Sequence, residues 1–452
     1  MPMNNDRRLE HAAMIEKLQA SLVGNTQRLR VRKKTVSNLF RYTSRSKEVT
    51  RYIDLREYDK PLFINTAEET LEVQGLTTFE SIVDFTLQHG LLPTVTPELK
   101  HITIGGAIVG IGIETNSYRY GFVHDSLLEV EVLLPDGQVV VCTPTNKYSD
   151  LFYGLPNSYG TFGYILRAKI QLRKAKPYVV LTTRAYDNVD PFLIALEQAT
   201  HNPKLDYIES LVYSNEELYM VTATETAQHK DAKTIYGSSI FYKDISNSGK
   251  LCLPIKEYIF RYDPEWFWAL PDTAFYKLFR KLSPLKYRNS SFYTHYVNWQ
   301  RAITAKFPFI QFEDNSLEQL IQDWEVPWEN AEKLLAFALD TFDLAGKPIM
   351  AVPIATPAKA TCYPMRANKL YLNLGSYNYV KKKIGRPPYY NTKVMDAFCF
   401  KHEGIKMLYS TTFLSKTEFD KIYAGKVYSS LKQKYDSKGL LSTLYEKAVK
   451  DL

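Results

Sequence analysis

The stretch Thr103-Ile104-Gly105-Gly106-Ala107-Ile108-Val109-Gly110-Ile111-Gly112-Ile113-Glu114-Thr115, followed by Asn116, Ser117 and Gly121, decides the fold. Glycines at this density remove side chains where backbone must approach a ligand or turn through conformations closed to other residues. Successive backbone N–H groups can then converge on a phosphate. The segment is not a Walker loop, because it lacks Gly-Lys-Ser/Thr. Nor is it a Rossmann fingerprint, because no third glycine follows Gly110-x-Gly112 at the required spacing. Taken alone, it reads equally as a structural glycine turn.

The flanking sequence predicts a mixed α/β region from about residue 28 to 178. Upstream, Thr77-x-x-Glu80 forms a capping box, and Phe79, Ile82, Val83 and Leu87 follow at helical spacing until Gly90 supplies a stop. Downstream, Leu128, Val130, Val132 and Leu134 alternate into Pro135-Asp136-Gly137, and Val139 and Val141 resume beyond it, which predicts a hairpin closed by a two-residue turn. Tyr164, Leu166, Ala168, Ile170 and Leu172 make the core face of a strand, with Arg167, Lys169, Gln171 and Arg173 expected on a wet face. Lys176-Pro177 breaks the pattern and places a domain boundary there. The middle of the chain, to about residue 400, is rich in Tyr and Phe, with a helix over Asn330–Phe342. Ser415-x-x-Glu418 opens a mainly helical end.

At 452 residues the chain exceeds the size at which one core usually keeps growing, so two packed lobes are expected. Its four cysteines form no C-x-x-C pair, which fits a reducing compartment and predicts no metal site. No segment has the apolar core of a signal peptide or approaches the roughly 20 apolar residues of a membrane span, so the expected location is cytoplasmic, or peripheral at a membrane surface. The net charge of +8 is partly concentrated at Arg28, Arg30, Arg32, Lys33, Lys34, Arg41, Arg45, Lys47 and Arg51. This cluster reads as a solvated basic face, a contact for a cofactor pyrophosphate, or a contact for anionic lipid. No recognisable binding module accompanies it, which argues against nucleic acid.

In order along the chain stand Pro97, Thr-Ile-Gly-Gly, Gly-Ile-Gly-Ile-Glu, Tyr120-Gly121, His124-Asp125, the Pro-Asp-Gly hairpin, Ser149-Asp150-Leu151-Phe152 and Gly160-Thr161-Phe162-Gly163-Tyr164-Ile165. This ordered set resembles the FAD-binding domain of the vanillyl-alcohol-oxidase/p-cresol-methylhydroxylase (PCMH) superfamily. The resemblance points within it to the Δ24-sterol reductase group (diminuto/seladin-like) and to bacterial methylene-fatty-acyl reductase flavoproteins. Ser37-Asn38-Leu39-Phe40-Arg41 lies where the first phosphate-contacting loop is expected. Gln322-Asp323-Trp324-Glu325-Val326-Pro327 looks like the cap segment of the Q-D-x-x-V-P type. His402-Glu403-Gly404-Ile405-Lys406-Met407-Leu408-Tyr409 resembles H-G-F-Q-M-L-Y, with Glu403 inserted-looking and Lys406 in place of Gln.

The resemblance, which covers roughly residues 28 to 450, implies an α+β, two-lobed PCMH-type FAD-binding domain with an α/β substrate cap domain. The expected divisions are an N-terminal extension at 1–27, the FAD-binding domain at 28–178, the cap at 179–400, and a segment at 401–452 returning to the FAD domain. Thr103 to Thr115, with Ser117 and Gly121, would wrap the pyrophosphate and flank the flavin. Asn157, Ser158, Gly160, Thr161, Gly163, Ser37 and Asn38 would add contacts. Many relatives tether the flavin through His or Cys; the glycine segment and first loop offer neither, so non-covalent FAD is expected.

Flavin carries the redox chemistry, and the chain supplies orientation, exclusion of water and proton tuning. The expected reaction is NAD(P)H-dependent reduction of an isolated lipid C=C bond, acting on CH–CH groups as in Δ24-sterol reduction. Alternatives are reduction of methylene-branched fatty acyl phospholipids and oxidation of a sugar or alcohol. An isolated alkene is unpolarised, so it needs a proton donor beside the hydride source. The candidates are Tyr409, His402 and Tyr371, with Tyr377, Tyr293 and His295 also considered, while Glu114 is expected to order the loop. His101 and His124 read as ordinary hydrogen-bonded histidines. The stretch Glu257 to Arg288 mixes Trp, Phe and Tyr with Arg and Lys, which reads as a cap core with a basic rim or as a surface that dips into lipid headgroups.

Overall fold

The computed structural model describes residues 3–35, 50–228, 232, 241–264, 274–284, 287–307, 309, 316–344, 346–357 and 360–449. A short parallel pair, β1 (Arg28–Arg32) and β2 (Thr50–Asp54), precedes the first large sheet. That sheet comprises β3 (Pro61–Asn65), β4 (Thr70–Gln74), β5 (Leu91–Pro93), β6 (Leu127–Leu133), β7 (Val139–Cys142) and β8 (Tyr164–Lys174). Its order is β3-β4-β8-β6-β7, with β5 also paired to β8. The second sheet runs from β9 (Tyr178–Tyr186) through β10 (Tyr207–Ser214), β11 (Glu217–Thr226), β12 (Lys250–Pro254), β13 (Leu317–Pro327), β14 (Ile349–Ala355) and β15 (Leu370–Lys381) to β16 (Ile405–Lys406). Its order is β12-β9-β11-β10-β14-β15-β13-β16, and every pairing is antiparallel. The architecture is α+β.

Strand β8 holds the first sheet together, pairing with β4, β5 and β6, and it alternates regularly from Arg167 onward. Ala168, Ile170 and Leu172 are buried in the main core, but a bulge opposite Glu131 and Val132 puts Ile165 on that face and turns Leu166, expected there, to the opposite one. The face expected to be wet is covered by the helix Met3–Leu22 only at its Arg167 end, while Arg173 at the other end pairs with Glu225. Arg167 pairs with Glu72, Glu129 and Glu131, Arg8 with Glu72, and His11 with Glu131. Leu18 and Leu22 of the same helix bury against Leu29, Ile53, Leu133 and Leu166. Charge on a strand face therefore marked a polar layer between elements, not open solvent.

Other expectations shift by a residue. The helix Phe79–Leu87 is capped by Thr78, whose Oγ1 accepts the Ser81 N–H at 3.3 Å, so the Thr77–Glu80 box is displaced by one position. A bulge between Leu127 and Glu129 buries Leu127 and turns Leu128 outward. The hairpin after β6 closes between Leu134 and Gln138, leaving three residues in the turn with Gly137 at φ +92°. The helix Ala331–Thr341 forms as expected and buries Leu334, Leu335 and Ala338, and Ser415 and Glu418 form the anticipated capping box.

After β16 the chain leaves the second sheet and packs beside the first, against residues 150–162. Tyr428 stacks obliquely on Phe162 at 5.0 Å, Lys432 Nζ donates to Thr161 O at 2.7 Å, and Tyr435 Oη donates to Asp150 at 2.6 Å. The departures from the late motif are accommodated locally. Lys406 is buried with Nζ 2.9 Å from Asp396, and Glu403 takes up a left-handed turn at φ +59° and pairs with Arg366.

Candidate active site

The glycine segment folds as a short helix, Ile104–Gly110, and not as an open cradle. Thr103 Oγ1 accepts the Gly106 N–H at 3.2 Å, Ile104 N–H donates to Thr77 O at 3.0 Å, and Gly105 N–H donates to Gly75 O at 2.8 Å. The first amides are thus engaged by the protein itself. A Cβ on Gly105 would lie 2.7 Å from Gly75 O, so this glycine serves the close approach of helix and sheet. Gly110 differs, since a Cβ there would meet only the Tyr159 ring at 3.5 Å. The left-handed turn that ends the helix falls on Ile111, at φ +61°, where a β-branched side chain costs about 1–2 kcal/mol. Burial of Ile111 in the main core holds it there.

The helix forms one wall of a cavity of about 1960 Å³. Typical small-molecule sites run to about 1,000 Å³, so there is room for a dinucleotide-sized cofactor and a second ligand together. Thr103, Gly105 to Ala107 and Val109 to Thr115 line it, with Gly160 and Gly163 nearby. Arg28, Arg30, Lys33 and Lys34, from the early basic cluster, line it as well. Burial pushes the Lys33 ammonium down to about 8, an environment that an anionic ligand would relieve. A glycine-faced wall and cations on the same cavity fit a cofactor carrying a pyrophosphate.

The second sheet contributes a proton-bearing cluster. Alternation along β13 sends Gln322 and Trp324 toward the helix Tyr390–Lys401, where they bond Thr392 and Asp396, and leaves Asp323 on the cavity side. Asp323 pairs across the ladder with Gly375, the one residue that leaves its carboxylate room: a Cβ there would lie 2.7 Å from Oδ1. Tyr409 Oη donates to Asp323 Oδ2 at 2.6 Å, Asn373 Nδ2 to Oδ1 at 2.9 Å, and Tyr377 Oη lies 3.2 Å from Oδ2. Burial raises the Asp323 pKa, opposed by hydrogen bonds from Tyr409, Asn373 and Tyr377. Burial, then the charge of Asp323, holds Tyr377 and Tyr409 well above the usual phenol range.

A buried cation joins the end of the glycine segment to the second sheet. Arg261 is fully enclosed; its guanidinium donates to both oxygens of Glu209 at 3.2 and 2.9 Å and reaches Glu114 Oε1 at 3.4 Å. Tyr258 and Tyr262 lie 4.4 and 4.8 Å from it. Glu114 Oε1 also accepts the Thr115 N–H at 2.9 Å, so this carboxylate orders the end of the glycine segment. Glu98, also on the cavity, is pushed well above the carboxylate range by burial and then by Glu114. Sequence reading missed Arg261 and Glu98, because neither falls in a motif.

Tyr409, Tyr377, Tyr293, His295 and His101 line the cavity. His402 does not: it ends the helix Tyr390–Lys401 and stacks on Phe398 at 4.1 Å. Tyr371 is buried away from it, its Oη accepting the Arg366 N–H at 2.9 Å. Ile104 and Ile108 point into the core, and Ser117, Gly121, Asn157, Ser158 and Thr161 sit behind the wall. There Ser117 Oγ accepts the Glu114 N–H, and Asn157 Nδ2 donates to Cys362 O. His124 is buried, stacked flat on Phe122 at 5.2 Å and pushed down to about 3 by burial. Ser37 and Asn38 lie outside the described residues. Among the described residues no group of His, Cys, Asp and Glu could hold a metal ion.

The FAD binding domain family matches residues 26–143, the span that contains the glycine helix and the cationic strand. The chain is an FAD-dependent oxidoreductase with a PCMH-type domain. It is a homologue of the Delta(24)-sterol reductases: the Homo sapiens protein is 26% identical over 410 residues, covering 86% of this chain and 76% of that one. The Arabidopsis thaliana protein of that name is 26% identical over 449 residues, covering 88% and 76%. Cytokinin dehydrogenase 8 of Oryza sativa subsp. indica is 31% identical over 137 residues, only 30% of this chain and 26% of its own.

Proposed function

We propose that this enzyme reduces an isolated C=C bond of a sterol or related lipid, with FAD held non-covalently and NADPH or NADH as the source of electrons. One observation carries the reading: the glycine helix, the cationic strand β1 and the Asp323–Tyr409–Tyr377 cluster share a single cavity. Residues of 103–115 would flank the flavin, and Arg28, Arg30 and Lys33 would face its pyrophosphate. When bound, the reduced cofactor supplies hydride.

The chain's own residues answer the remaining demand, a proton for an unpolarised alkene. Tyr409 keeps its phenolic proton because burial opposes the phenolate. It gives that proton to the less substituted alkene carbon, and Asp323, biased by burial toward its neutral form, resupplies it. Tyr293, Tyr377 and the other rings around the cavity exclude water and offer π faces to positive charge on the more substituted carbon. A sterol side chain and a methylene-branched fatty acyl chain make the same demand.

Anaerobic titration tests this. The purified protein should show flavin absorbance, lose it with NADPH or NADH, and regain it with a lipid alkene. Bleaching by a sugar or alcohol, with no response to nicotinamide, would replace the reductase reading with an oxidase.

A further inference from the structure

The helices Ala274–Leu282 and Ser290–Lys306 do two things at once. On the inside, Tyr293, Thr294, Val297, Asn298 and Ala302 of the second helix line the cavity, and the first helix packs behind them through Phe279. On the outside, Leu278 and Leu282, one turn apart, are 56% and 70% exposed, and Trp299 is 53% exposed. The two faces are joined by rings: Phe279 stacks on Tyr296 at 5.4 Å, and Tyr296 on Trp299 at 5.9 Å. The same cluster packs against Tyr377 and Tyr409.

Charge on this segment is one-sided. Residues 274–307 contain no Asp or Glu, although the whole chain has 49, while Lys and Arg recur throughout, among them Lys281, Arg288 and Lys306. Exposed Leu and Trp within an all-cationic segment are complementary to a surface that is anionic outside and apolar beneath. A protein partner would require discrete acidic side chains, whereas a lipid surface satisfies both features over the whole patch.

We propose that this helix pair seats the enzyme on an anionic lipid bilayer, with Leu278, Leu282 and Trp299 entering the headgroup layer and the cavity opening toward it. Transfer of substrate from that surface rests on the lipid-reductase reading; adsorption itself does not.

Co-sedimentation with phosphatidylcholine vesicles, with and without phosphatidylserine, tests the proposal. The protein should sediment with the phosphatidylserine vesicles and be released by salt. Lys281→Gln should weaken binding by about fivefold, and Leu278→Ser/Leu282→Ser by more, with flavin content unchanged. Equal binding to both vesicle types, or none to either, overturns it. So does lipid-free dimerisation lost in the same double variant, which would make a second copy the occupant. Vesicle binding by a protein that reduces no lipid alkene would leave the docking intact and remove only the reductase reading.

Discussion

Tyr409 and Asp323 lie 86 positions apart in sequence and share a 2.6 Å hydrogen bond at the cavity wall. The bond is set by two neighbouring strands: β16 pairs with β13 at Trp324 and Glu325, and Met407 N–H donates to Asp323 O at 3.2 Å. The late motif is thereby held in register with the carboxylate.

If this pair delivers the proton, Tyr409→Phe should keep its flavin and its reduction by nicotinamide, while reoxidation by the alkene slows by about 10²–10⁴-fold. Asp323→Asn should show a smaller loss, because the phenol remains but its resupply does not. Stopped-flow traces of the two half-reactions measure this, and a wild-type oxidative half-reaction in Tyr409→Phe would clear it of the role.

Glycine substitutions separate fold from cofactor. Gly105→Ala drives a Cβ into Gly75 O and should destabilise the fold by about 1–3 kcal/mol. Gly110→Ala meets no backbone and should leave thermal stability unchanged or slightly raised, yet weaken FAD retention by intruding on the cavity. Melting curves with flavin occupancy decide it: matching stability losses in both would mean that Gly110 serves packing alone.

Much of this arrangement was legible in the sequence because it is local. The alternation of β8 from Arg167 onward, the helix Ala331–Thr341 and the capping box at Ser415 follow from side-chain period and cap chemistry, whereas the bulge that turns Leu166 over does not. What escaped depends on distance in sequence. Arg261 meets Glu114 across 147 positions, and Arg167 on the charged face of β8 shares its carboxylates with a helix about 160 residues earlier that carries no amphipathic signature. Within the late motif, Tyr409 reaches the cavity and His402 does not, a distinction made by the turn at Glu403 and Gly404, where Gly404 packs against Cys399.

Removing Arg261 should be costly. Arg261→Met would leave Glu114 and Glu209 buried without their cation, a loss of about 3–5 kcal/mol. The deficit should grow as pH rises, because burial already raises the Glu114 pKa and the cation that opposes that rise is gone. Adding Glu209→Gln should recover part of it. Thermal unfolding of single and double variants measures the coupling, and strictly additive losses would deny it.

His124 and Asp125 predict opposite pH slopes from adjacent positions. Burial pushes His124 from 6.5 down to about 3 in the fold, so its contribution to stability is complete above 6.5 and is lost as pH falls through that window. Burial raises Asp125 from 3.8 to about 6, so its contribution is complete below 3.8 and is lost as pH rises toward 6. Each slope is about 1.4 kcal/mol per pH unit where the two windows overlap, and they cancel in the wild type. His124→Gln should then lose stability as pH rises from 4 to about 6, while Asp125→Asn should gain it over the same range. Denaturant midpoints at closely spaced pH values give both slopes. Were the two variants to follow the wild-type curve, burial would not be displacing either proton equilibrium.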